Sequence, residues 1–150
     1  MDEEPFPNAD ELERLVQFQH PWKVLGGLPG VGALDDATVA RLLSTDEHAY
    51  HSIRGTLSAR TDAEVAAILA DETLPAAVDA LPFAAGDVVV AFGDSLTADL
   101  ASWAEMLARL LAARRPADAI QVVNAGVSGE TSTDALKRLP DRERTDPAGA

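Results

Sequence analysis

The chain has 150 residues, 47% of them hydrophobic, a formal net charge of −13 and no cysteine. That length fits one domain or two small ones, the apolar share supports an ordinary core, and the missing cysteine excludes disulfides and thiolate metal sites. With 25 acids against 12 bases, no Lys/Arg cluster is available to grip a phosphate backbone or an anionic membrane, so nucleic acid is not expected as a partner.

The charge is uneven: residues 1–85 carry 15 acids and 5 bases, residues 86–150 carry 10 and 7. The opening MDEEPFPNADE has no basic stretch followed by an apolar one, so it does not read as a secretory leader. No run approaches the ~18 consecutive apolar residues of a membrane helix. A cytoplasmic protein without a membrane span is the expectation.

In chain order, the first 84 residues read as helical. Asn8 with Glu11 three positions on forms a capping box before Leu12, Leu15 and Val16. HPWKVLGGLPGVGAL, residues 20–34, is rich in glycine and holds two prolines, which predicts an irregular loop. Phe18, Trp22 and this loop are candidates for shaping an apolar pocket. Asp35 or Asp36 can cap a helix carrying Val39, Leu42 and Leu43. Thr61 with Glu64 reads as a second capping box, ahead of Val65, Ile68 and Leu69, and Pro75 fits the first turn of another short helix.

From residue 85 the pattern becomes strand, helix, strand, helix. Val88 to Phe92 is a continuous apolar run, expected for a strand covered on both faces. Leu100, Trp103, Ala104, Leu107, Leu110 and Leu111 recur at helical spacing, and Arg114, Arg115 and Pro116 close that helix. Ile120 to Val123 is a second strand, and Thr131 to Leu139 a further helix. The whole reads as a helical segment, 1–84, followed by the first half of a parallel α/β domain, 85–150.

Each strand ends in a glycine-containing loop at its C-terminal edge, where open parallel sheets bind ligands. The first loop is Gly93-Asp94-Ser95-Leu96-Thr97; the second runs from Asn124 through Gly126 and Gly129 to Ser132. Ser95 falls where strand gives way to helix. It is either a helix cap or a nucleophile beside an unpaired amide, which is half of an oxyanion hole. Other catalytic motifs fit worse. A G-x-S-x-G elbow would need glycine at position 97, which is Thr. No G-x-G-x-x-G follows the first strand, and an aspartyl phosphatase would need an acid at position 96, which is Leu.

VVAFGDSLT followed by VVNAGVSGETS strongly resembles the GDSL, or SGNH, hydrolases over roughly residues 87–140. The resemblance implies a flavodoxin-like three-layer α/β/α fold and hydrolysis of carboxylic esters or thioesters through an acyl-enzyme, with a small acyl ester as substrate and no cofactor or metal. It makes Ser95 the nucleophile and the N–H groups of Ser95 and Gly129 oxyanion donors. Gly93 and Asp94 become supports of the nucleophile loop, and Asn124 a residue that holds the second loop.

The resemblance also breaks. The family's G-x-N-D and D-x-x-H blocks, which supply a further oxyanion donor, the orienting acid and the general base, are absent. The three histidines, His20, His48 and His51, all precede the serine. A serine without a base is a poor nucleophile, so the chain as written is expected to be close to inactive and to be the first part of a longer hydrolase. The alternative is a non-catalytic interaction module on a degenerate fold. His48 and His51, three apart on a helix, suit at most an incomplete metal pair. The helical segment is expected to pack on the α/β half or to offer a dimer surface.

Overall fold

The computed structural model describes residues 7–25 and 34–138. Eight α-helices and two strands are present among them: α1 Ala9–Phe18, α2 Pro21–Leu25, α3 Asp36–Leu42, α4 Glu47–Leu69, α5 Leu74–Asp79, β1 Val88–Ala91, α6 Ser95–Ala98, α7 Trp103–Arg114, β2 Gln121–Asn124 and α8 Ser132–Arg138. The residues at 20–25, expected to be loop, are partly helical, because Pro21 is free to open α2. The glycine-rich remainder at 26–33 lies outside the described residues.

Local signals act as read at several ends. Asn8 and Glu11 close the reciprocal capping box of α1, Asp35 caps α3 through Thr38 N–H, and Pro75 sits in the first turn of α5. Thr61 does not begin a helix. It lies inside the 23-residue α4, fully buried, and its hydroxyl donates to the Leu57 carbonyl at 3.1 Å. That bond satisfies the hydroxyl within the helix. Thr61 then occupies one step of a continuous stripe, Tyr50, Ile53, Leu57, Thr61, Val65 and Ile68, whose steps are all three or four residues.

The stripe packs into two cores. The first joins Val16, Val39, Ala40, Leu43, Tyr50 and Leu57, with Leu12, Leu15, Trp22 and Leu100 against them. The second joins Val65, Val78, Leu110 and Leu111, with Met106, Ile120 and Val122. Residues from before and after position 85 therefore share the second core. Arg109 on α7 ties it to α4 through the Ser58 carbonyl, at 2.8 Å, and Asp62.

β1 and β2 pair in parallel, with Val88 opposite Gln121 and Ala91 opposite Asn124. Helix α7 covers one face through β2, and Ala91 of β1 is buried. The other face is bare: Val88, Val90 and Val123 remain 58%, 55% and 44% exposed. The parallel α/β unit is present, but the third layer of the expected three-layer sandwich is not found among the described residues, and β1 is covered on one face rather than two. Each strand run is apolar on both sides, and only packing decides which side is covered.

Candidate active site

The chain leaves β1 through Phe92 and Gly93 and enters α6 at once. Asp94 is the helix cap: its carboxylate oxygen Oδ1 accepts the Leu96 N–H at 3.0 Å, and its backbone carbonyl accepts from Thr97 and Ala98. Ser95 is the first residue of α6 and is partly exposed. Neither its hydroxyl nor its amide finds a hydrogen-bond partner among the described residues, as the first amide of a helix has no carbonyl four residues back inside the helix.

The expected single helix from this loop is broken. α6 ends after Ala98, and α7 starts anew with Ser102 as cap, its hydroxyl accepting the Glu105 N–H at 3.3 Å. Between them, Asp99 accepts the Ala101 N–H and the Gln17 side-chain amide, and Leu100 N–H donates to the Gln17 carbonyl. Leu100 thus leaves the α7 face and docks on the first core. Trp103 Nε1 donates to Thr97 Oγ1 at 3.2 Å.

The second loop meets the first at its root. Ala125 N–H donates to the Ala91 carbonyl at 2.9 Å and Val127 N–H to the Gly93 carbonyl at 3.0 Å. Gly126 is pressed so closely on α6 that a Cβ there would lie 2.4 Å from the Ala98 nitrogen. Gly129 sits at φ +83°, with Glu130 N–H donating to the Val127 carbonyl at 3.3 Å, a turn whose third residue favours glycine. Asn124 is fully engaged: Oδ1 accepts from Gly126 N–H and Lys23 Nζ, and Nδ2 donates to Ser102 and Glu105.

A cleft opens beside the joined roots, lined by Phe92 and by Gly93 and Asp94 of the first loop, by Glu130, Thr131 and Ser132 of the second, and by Ala135 of α8. Arg138 of α8 lies 4.5 Å over the Phe92 ring and donates to the Ala125 carbonyl. Ser95 and Gly129 are not among the lining residues, and no hydrogen bond joins them. The structure brings the two loops together at Gly93, Gly126 and Val127.

The histidines lie elsewhere. His20 is 5% exposed, stacked on Trp22 with ring centroids 4.9 Å apart, and among the described residues neither ring nitrogen makes a hydrogen bond of normal geometry. Burial, reinforced by the Lys23 ammonium, lowers its pKa to about 4. His48 and His51 are exposed on α4, with His51 Nε2 3.5 Å from both Asp36 and Glu47. No histidine bonds to Ser95. Among the described residues no group of three or more His, Cys, Asp or Glu is placed to hold a metal, and no helix is long and apolar enough to cross a membrane.

Contacts that the sequence did not signal come from the N-terminal helices. Lys23 and the Phe18 carbonyl reach the second loop, and Gln17 reaches the link between α6 and α7. Trp22 packs into the first core, and Phe18 offers the second loop its backbone.

Residues 91–149 match the family model described as GDSL-like Lipase/Acylhydrolase family. The match spans the two loops and agrees with the resemblance they carry. No curated protein and no solved structure matches the chain.

Proposed function

We propose that the chain is the nucleophile-bearing part of a serine hydrolase acting on carboxylic esters or thioesters. Ser95 Oγ attacks the acyl carbon, the amides of Ser95 and Gly129 receive the developing oxyanion, and an acyl-enzyme forms and is then hydrolysed. One observation carries the reading: Asp94 caps α6, so the serine hydroxyl and its amide are left uncommitted at the helix start. A serine kept only as a cap would have its hydroxyl on an amide two or three residues on.

The general base and its acid partner lie downstream of residue 150 in this reading. Support comes from the placement of the three histidines, none of which bonds to Ser95, and from the bare valine row on the sheet, an apolar face that a further layer would cover. Without a base, turnover falls by factors of roughly 10⁴ to 10⁶. A second reading, a non-catalytic interaction module, draws on the same missing base.

The test is covalent labelling. Where the reading frame continues into G-x-N-D and D-x-x-H blocks, the extended protein should take up one fluorophosphonate adduct, mapped to Ser95 and absent from Ser95→Ala. An extended protein that carries both blocks and is not labelled overturns the hydrolase reading in favour of the interaction module.

A further inference from the structure

The second loop is held from outside the α/β half. Lys23, on α2 and 101 residues before Asn124, donates through Nζ to Asn124 Oδ1 at 3.1 Å and to the Gly126 carbonyl at 3.0 Å. The same Asn124 oxygen accepts Gly126 N–H at 3.1 Å, while Nδ2 reaches Ser102 Oγ and Glu105 Oε1, each at 3.3 Å. One ammonium therefore joins α2 to the loop and, through Asn124, to the start of α7. Ser128, one residue before Gly129, donates its hydroxyl to the Phe18 carbonyl at the end of α1.

These bonds grip the loop just before its turn and at Ser128 within it. Gly126 is pinned against α6, and the turn from Val127 to Glu130 presents Gly129 beyond that pin. The direction of the Gly129 amide depends on how the root is held, together with the bonds of Ser128 to the Phe18 carbonyl and of Arg138 to Glu130 within the turn. Charge-assisted bonds from a partly buried ammonium are stronger than neutral ones. Burial lowers the Lys23 pKa, and the Glu105 carboxylate opposes that shift.

We propose that Lys23 is a positioning residue for the reaction inferred above: by joining Asn124 Oδ1 to the Gly126 carbonyl, it holds the second loop so that the Gly129 amide faces the oxyanion formed at Ser95. The proposal rests on the serine-hydrolase reading. It makes the N-terminal helices part of the site's framework. An arginine at 23 keeps the charge in a different fork geometry and restores the grip only in part.

Hydrogen exchange on the 150-residue chain tests the grip without activity. Lys23→Met should raise amide exchange at Val127 and Glu130 about tenfold while α4 amides stay unchanged, and Lys23→Arg should fall between. Unchanged loop exchange in a Lys23→Met protein with wild-type circular dichroism overturns the proposal. Should that variant unfold, Lys23→Gln is measured by the same criterion.

Labelling of Ser95 in a base-containing extended form then reads positioning. Lys23→Met should slow bond formation to the fluorophosphonate about tenfold, leave its apparent affinity within twofold, and be partly rescued by Lys23→Arg. A change in affinity alone makes Lys23 a ligand contact and overturns positioning. If the wild-type extended protein is not labelled, the hydrolase reading fails by itself, and the exchange result still decides whether Lys23 holds the loop.

Discussion

The two loops are secured in different ways. The first is fixed by its neighbours: Asp94 caps the helix that follows it, and Gly93 lies against Thr97 four residues on. The second borrows its rigidity from outside itself, from Lys23 and Phe18 about a hundred residues earlier and from Arg138 on the helix that follows it. A loop of the first kind keeps its shape whenever its own residues are present. A loop of the second kind depends on the rest of the molecule, so its order reports on the packing of α1 and α2.

Four measurements sharpen or break this contrast. The largest effect is at Ser95: Ser95→Ala should remove covalent fluorophosphonate labelling of an extended, base-containing form completely, while leaving its melting temperature unchanged, since the serine side chain makes no hydrogen bond among the described residues.

Gly126→Ala comes next, because the new methyl would meet the Ala98 nitrogen at 2.4 Å and the Thr97 carbonyl carbon at 2.7 Å, both backbone atoms that cannot swing aside. Destabilisation of about 3 kcal/mol by urea titration is expected. A near-neutral result would mean that the two loops are not pressed together at their roots.

A pH series probes the elbow between α1 and α2. His20 has a folded pKa of about 4 against an ordinary 6.5. Above pH 6.5 both folded and unfolded chains hold it neutral, and its contribution is constant. As pH falls from 6.5 to 4 the unfolded chain takes up the proton first, so stability drops across that window, by roughly 2 kcal/mol, and levels below it. His20→Leu should flatten this part of the profile, and the second loop should lose exchange protection in acid before the first does.

The smallest effect belongs to the local loop. Asp94→Ala removes the cap on the Leu96 N–H and should cost about 1 kcal/mol, with exchange rising in α6 and not in residues 127–130. Equal loosening of both loops would erase the distinction drawn between them.

The same distinction explains what could be read beforehand. The strands, the caps at Asn8 and Asp35 and the two glycine loops depend on residues within a few positions of each other, and they were legible. Leu100 fits the α7 face by its spacing, yet the Gln17 carbonyl 83 residues earlier takes its amide and draws it away. Thr61 looked like a cap because a threonine three before a glutamate is one, unless its hydroxyl turns back on its own helix. Nothing near Lys23 marks it as a partner of Asn124. The bare side of the sheet was equally hidden, since Val88, Val89 and Val90 are chemically alike and only α7 distinguishes them.

Helix α4 passes through both apolar clusters, Tyr50 and Leu57 in one and Val65 in the other, over a rod of about 34 Å. A shared beam of this kind makes the clusters thermodynamically inseparable: neither can melt without exposing one end of a helix that the other needs intact. Calorimetry should therefore record a single endotherm, and splitting the polypeptide anywhere along that beam should leave two pieces that fold only in each other's company.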